Sequence, residues 1–181
     1  EAHERGMIHR DIKPENIMVS DAGKPYIIDF GLACKLSQPA ITAKNRIWVT
    51  PHYMAPEQIH IDMDWDHRCD IYSLGLTMYA TLAGEHPFDR GGDEPSSLVM
   101  ARHFKETPHL LSLMNSELAP AWDPVVEKMI QRSMNRRFQT ADEVVAALDG
   151  LLDNLSCPCV TLFTTPCEPS HTPRGANHVS H

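Results

Sequence analysis

The hydrophobic pattern of this chain changes period as it runs. In the first third the apolar runs are short. "NIMVS" (Asn16 to Ser20) and "PYIID" (Pro25 to Asp29) are rich in β-branched residues and flank "DAGK", which predicts a hairpin with the glycine in its turn. Ahead of them, "EAHERGMIH" reads as a helix end, with Gly6 suited to the left-handed position just past the last turn. From Phe30 to Gln58 no period is sustained. That stretch contains Pro39, Pro51 and Pro56 and predicts a long ordered loop, a kind of segment that is usually functional. Beyond it the period becomes helical. Asp70 to Leu82 is strongly apolar and predicts a buried helix, and "GEHPFDRGGDEPSS" is a turn-rich connector. "SLVMARHFKE", "PAWDPVVEKMIQRSM" and "TADEVVAALDGLLDNL" each repeat apolar residues at three- and four-residue steps. The last opens on Thr140 with Asp142 and Glu143 behind it, a capped start with acids in the first turn. The pattern predicts an α+β fold, mainly α: a small β-hairpin region followed by a helical core. After about Leu155 the periodicity fades into a Pro-, Thr-, Ser-, His- and Cys-rich stretch, expected to be a flexible tail over 156–181.

Composition narrows the picture. The chain has 181 residues, 42% apolar and 22% charged, which is enough for one domain with a sizeable core. A formal net charge of -8 argues against a general nucleic-acid binder, which wants a basic footprint, but leaves room for a single nucleotide. No apolar run is long enough to span a membrane, and no secretory signal stands at Glu1. The chain does not begin with Met, so a fragment of a longer protein is expected. The five cysteines are odd in number and, in the body, unpatterned, which fits a reducing, cytoplasmic compartment. Cys157, Cys159 and Cys167 with His171 and His178 match no closed zinc spacing, so the tail is read as disordered and not as a metal site.

The chemistry is concentrated in "HRDIKPEN" (His9 to Asn16). Asp11 is followed by Lys13 and Asn16, and "DFG" (Asp29, Phe30, Gly31) comes just after the second hairpin strand. The hairpin folds the chain back, so Asp29 can return to the neighbourhood of Asp11 and Asn16. That gathers two carboxylates, an amide oxygen and an ammonium at one end of a small sheet. Such oxygens suit magnesium shared with substrate phosphates, and the second carboxylate can accept a proton from an attacking hydroxyl.

These motifs, with "APE" (Ala55, Pro56, Glu57), resemble those of the eukaryotic-type (Hanks-type) serine/threonine protein kinases, in the order and at the spacings of that family. The resemblance covers Glu1 to about Leu155 and implies the kinase C-terminal lobe, with the N-terminal lobe absent from this sequence. By position it implies that Asp11 is the catalytic base and Lys13 the cation at the transferred phosphate, in contact with ATP. Asn16 and Asp29 resemble the Mg2+ ligands. Arg10 resembles the basic residue that pairs with a phosphorylated activation loop, in which Thr42, ahead of Ser37, is the favoured site. Thr50 resembles the threonine that contacts Asp11 and Lys13, and Phe30 and Gly31 complete the metal-binding turn. Glu57 and Arg137 resemble the family's buried ion pair, and Asp70 the helix acid that braces the catalytic loop. "KPEN" points to protein serine and threonine hydroxyls as acceptors. His9 is expected to be a packed framework residue. The other histidines of the body (His3, His52, His60, His67, His86, His103, His109) are expected at the surface.

Some features depart from the family. The glycine-rich loop, strand lysine and helix glutamate of the N-terminal lobe do not occur in this sequence, so no appreciable kinase activity is expected from this fragment alone. Val49 stands before Thr50 and Pro51 where the family often has glycine. The usual Asp-Pro turn ahead of Arg137 is missing, which is expected to weaken its pairing with Glu57. Glu15 favours basic residues before the acceptor in some relatives, whereas Ala80 argues against a strict basic preference. The alternative reading is a non-catalytic kinase-lobe remnant that binds proteins through its helical face. A small-molecule phosphotransferase is disfavoured by the full "APE" segment.

Overall fold

The computed structural model describes residues 1–29, 34–35, 51–59, 64–118 and 120–154. A short 3-10 turn, His3–Arg5, stops at Gly6, whose φ of 68° is the left-handed conformation the sequence predicts there. Strand β1 (Met7–Ile8) follows. A second 3-10 turn, Pro14–Asn16, carries proline in its first turn, where a missing N–H costs nothing. It leads into β2 (Ile17–Val19), which pairs antiparallel with β3 (Pro25–Ile27), Met18 opposite Tyr26, around a turn holding Gly23 at φ 75°. This is the predicted hairpin. A second two-stranded sheet was not predicted. Strand β4 (Cys34–Lys35) pairs antiparallel with β1, Met7 opposite Lys35 and Ile8 opposite Cys34. It falls inside the stretch read as loop, because two residues are too few to show a period.

The helices are α1 (Pro56–Ile59), α2 (Arg68–Ala83), α3 (Ser96–Lys105), α4 (Leu111–Met114), α5 (Trp122–Met129) and α6 (Ala141–Asn154). Helix α2 runs through the core and is buried on most of its circumference, including the polar Asp70, Ser73 and Thr77. The hydroxyls can be buried because each donates to the carbonyl four residues back, Ser73 to Cys69 at 3.0 Å and Thr77 to Ser73 at 2.9 Å. Helix α5 comes closest at Gly75. A Cβ there would lie 2.7 Å from Met129 Cβ and 2.8 Å from Ile130 Cγ2, so the glycine sets the separation of the two helices. Ile8 from β1 joins Tyr72, Leu76, Val99, Leu111, Val126 and Met129 in one core, each at most 2% exposed. At the start of α6 the Glu143 N–H donates to Thr140 Oγ1, and the Glu143 carboxylate accepts the Gln139 N–H. The cap is where the sequence puts it.

The histidines correct the surface expectation. His103 on α3 is 0% exposed, with Nδ1 3.0 Å from the Tyr72 hydroxyl and its ring 4.5 Å from that of Phe88. His86 is half-buried, and its Nδ1 accepts the Phe88 and Asp89 N–H groups. The connector between α2 and α3 folds back onto α3, held by Arg102, which binds Glu94 through both terminal nitrogens and the Phe88 carbonyl at 2.8 Å. That fold-back covers both rings. Burial, helped by the charge of neighbouring histidines, pushes His103 down to about 3 and His86 to about 4. His109 is exposed as expected, and His60 lies outside the described residues.

Candidate active site

The site is built on Asp70, in the first turn of α2. Its carboxylate is 2% exposed and accepts two consecutive backbone N–H groups, His9 through Oδ2 and Arg10 through Oδ1, both at 2.8 Å. His3 Nε2 lies 2.8 Å from the same Oδ2. Arg10 stands at φ 73°, a left-handed conformation that a side chain resists. A strained residue of this kind costs on the order of 1–3 kcal/mol and persists only when its surroundings over-determine it. Asp70 holds its N–H, and Gln58 Nε2 donates to its carbonyl at 3.2 Å. Gln58 is itself fixed by accepting the Ala55 N–H at 2.9 Å. No motif or period in the chain pointed to this glutamine's part.

That clamp sets the direction of the next residues. Lys13 Nζ lies 2.8 Å from Asp11 Oδ2, and Asn16 Nδ2 donates to the same oxygen at 3.0 Å and to the Asp11 carbonyl at 2.8 Å. Asp11, Lys13 and Asn16 thus form one hydrogen-bonded cluster. The Asp11 and Lys13 side chains are 10% and 16% exposed, and Asn16 is buried. Because the Asn16 nitrogen is committed to Asp11, its oxygen is the end offered outward.

Asp29 is brought to the same end of the hairpin. The Ile28 N–H bonds to the Asn16 carbonyl at 2.9 Å, and the Ile28 carbonyl meets His9 Nε2 at 3.1 Å, so the peptide that leads into Asp29 is held from both sides. His9 Nδ1 accepts the Asp11 N–H at 3.3 Å, which fixes the tautomer: Nδ1 accepts and Nε2 donates. His9, 4% exposed, is a framework residue. Asp29 is exposed and, like Arg10, has a positive φ, 60°. Two non-glycine residues in the left-handed region flank the Asp11 cluster, a placement typical of functional sites.

The Arg10 guanidinium lies 4.4 Å from the centre of the Trp65 ring, and its Nε is buried without a hydrogen-bond partner among the described residues. Glu57 and Arg137 meet through both Nη atoms at 2.5 and 2.7 Å, and Arg137 also donates to the carbonyls of Gln131, Arg68 and Arg132. The missing Asp-Pro turn therefore does not displace Arg137. A 3-10 turn, Met134–Arg136, takes up the chain instead, with the Arg137 N–H bonded to the Met134 carbonyl. Phe30, Gly31, Ser37, Thr42, Val49 and Thr50 lie outside the described residues.

The donor set fits the cation the sequence suggests. Among the described residues no three of the His, Cys, Asp and Glu side chains gather as a metal cage. What the hairpin end offers is one amide oxygen and one carboxylate, hard donors suited to a magnesium ion that takes its remaining ligands from phosphates and water. No helix of the described residues is long and apolar enough to cross a membrane.

Comparison with known proteins matches residues 2–147 to the protein kinase domain. A probable serine/threonine-protein kinase of Clostridium acetobutylicum is 33% identical over 153 residues, covering 84% of this chain and 23% of the relative. The serine/threonine-protein kinase PknB of Mycolicibacterium smegmatis is 38% identical over 149 residues, covering 81% of this chain and 23% of the relative, and PknB of Mycobacterium tuberculosis matches to the same extent. The chain spans about a quarter of the length of these curated relatives. With the matched domain running through the Asp11 cluster, the Asp70 clamp and the Glu57–Arg137 pair, the chain belongs to the protein kinase domain family, among the Hanks-type serine/threonine kinases.

Proposed function

We propose that this chain is the C-terminal lobe of a protein serine/threonine kinase, carrying the residues that orient the acceptor hydroxyl and hold the metal. The observation that carries the reading is the Asp11–Lys13–Asn16 cluster, suspended from α2 by Asp70. Magnesium-bound ATP, when present, supplies the phosphoryl group and the charge that neutralises it. Asn16 and Asp29 would hold the metal through their oxygens. Asp11 receives the proton of a serine or threonine hydroxyl. One of its oxygens is already fixed by Lys13 and Asn16, which limits the other to a single approach direction. Lys13, two residues on, brings a positive charge to the oxygens of the transferred group. Arg10 receives a phosphorylated hydroxyl of the activation segment, with Thr42 as the favoured site.

The cleft is completed by an N-terminal lobe. In support, the hairpin leaves Met18, Val19, Tyr26, Ile27 and Ile28 between 38% and 63% exposed, with Met18 and Tyr26 on one face of the ribbon and Val19 and Ile27 on the other, more apolar surface than an isolated two-stranded ribbon sustains in water. Alone, the chain supplies one wall of the nucleotide site and performs no appreciable transfer. The intact Asp11 cluster favours this over a non-catalytic remnant, since docking a protein needs no buried Asp–Lys–Asn arrangement.

The test has two arms. The chain alone, given labelled ATP, Mg2+ and a generic basic protein, is expected to show no Asp11-dependent labelling. Joined to the N-terminal lobe of the Mycolicibacterium smegmatis relative, it is expected to label serine and threonine, and Asp11→Asn to abolish this without loss of fold. A fusion that folds and binds ATP yet transfers nothing would overturn the catalytic reading.

A further inference from the structure

Arg10 is gripped at its backbone more firmly than at its side chain. Asp70 and Gln58 fix its N–H and carbonyl, and its φ of 73° leaves little freedom in where the side chain leaves the backbone. The guanidinium then meets no carboxylate among the described residues. It meets the Trp65 ring, 4.4 Å from the centroid. Trp65 is partly buried against the core, so it is an anchored surface and not a mobile one. A ring stacked on a guanidinium covers one face of the plane and leaves the edge, where the N–H donors are. One of those donors, Nε, is buried and unmet among the described residues. A guanidinium left without an acceptor is costly, and an oxyanion at its terminal nitrogens would supply the opposite charge.

We propose that Trp65 is a positioning residue for Arg10: its indole holds the guanidinium plane so that the donor edge is presented to a phosphate dianion, the phosphate being carried on a side chain of this protein. This rests on the reading of Arg10 given under the proposed function. Lysine would not serve, because an ammonium has neither the plane to stack nor the fork to bind two oxygens. Nor would an aliphatic residue at 65, which can fill the space but cannot attract the cation.

The test uses the full 181-residue chain labelled with 15N, following the Arg10 Nε–H and Trp65 indole N–H resonances as inorganic phosphate is added. Both are expected to shift together along one saturation curve. In Trp65→Leu the dissociation constant is expected to rise about three- to fivefold, the scale of a cation–π contact, while in Trp65→Phe it stays within about twofold. Arg10→Lys is expected to lose the response of the Trp65 signal. Amide spectra establish that each variant is folded. Equal affinity in Trp65→Leu and the parent chain, whatever the change in melting temperature, would reduce Trp65 to a packing residue and overturn the proposal alone. No response of Arg10 to phosphate in the unaltered chain would overturn the reading of Arg10 itself. In chain phosphorylated by an active serine/threonine kinase, the Arg10 resonance is expected at its bound position without added phosphate. If it remains at the free position and still titrates, the anion comes from solution and the assignment to a phosphorylated side chain fails.

Discussion

Arg137 and Glu57, eighty positions apart, face each other through two parallel hydrogen bonds with side chains 0% and 1% exposed. The pair ties α1 to the turn before α6. Removing one member strands a buried charge. Arg137→Met alone or Glu57→Leu alone is expected to destabilise the chain by about 3–5 kcal/mol. The double substitution Glu57→Leu with Arg137→Met is expected to cost less than either single loss, because no charge is left without its opposite. Urea unfolding of the four proteins checks this, and simple additivity would count against it.

Asp70 carries a different burden. Asp70→Asn keeps the shape but replaces one accepting oxygen with a donor that faces another donor. Hydrogen bonds to a charged group are worth about 1.5–3 kcal/mol each, so the loss at His9 and Arg10 is expected to be local and large. Hydrogen exchange at those two amides should accelerate by at least tenfold relative to amides in α5. Uniform acceleration across all helices would instead mean that Asp70 only contributes to global stability.

His86 and His103 set an acid limit. Both lie below the ordinary value of 6.5, at about 4 for His86 and about 3 for His103, so the fold keeps them neutral while the unfolded chain takes up their protons. Stability is then fully present above about pH 6.5 and falls as the pH drops through 4 and then 3. Groups facing them include His52 and Asp89, the latter opposing the shift at His86. His86→Asn preserves an acceptor for the Phe88 and Asp89 N–H groups and removes the titration. Its unfolding free energy is expected to decline less steeply between pH 6.5 and 4. Glu94, held down to about 2 mainly by the hydrogen bond from Arg102, loses its contribution only below its ordinary 4.5, which separates the two effects.

Gly75→Ala tests the closeness of α2 and α5. Alanine suits a helix better than glycine by about 1 kcal/mol. Against that, the new methyl would sit within 3 Å of both Met129 and Ile130. A net loss of about 1–3 kcal/mol is expected from overpacking. A gain in melting temperature would show that the helices separate freely.

How much of this was legible in the sequence depends on the range of the forces involved. The α2, α3, α5 and α6 helices and the β2–β3 hairpin were readable because period and turn chemistry are local. Thr140 and Gly6 marked element ends for the same reason. The motif residues were readable only through resemblance: spacing brings Asp11, Lys13 and Asn16 near one another, but nothing local says that Asp70 will hold the loop they sit on. The β1–β4 pairing was too short to carry a pattern. His103 was misplaced because a histidine's burial is decided by what folds over it, here a connector drawn down by Arg102. Gln58 and Trp65 act on Arg10 across the fold, and neither residue type announces such a role.

The hairpin has a consequence for handling the chain. It presents Met18 and Tyr26 on one face and Val19 and Ile27 on the other, beside strand edges that no third strand covers among the described residues. Such a surface can pair with another copy as readily as with a covering lobe. Expressed by itself, the chain is expected to self-associate at high concentration through this ribbon, and whatever covers the hairpin would act first as its solubiliser.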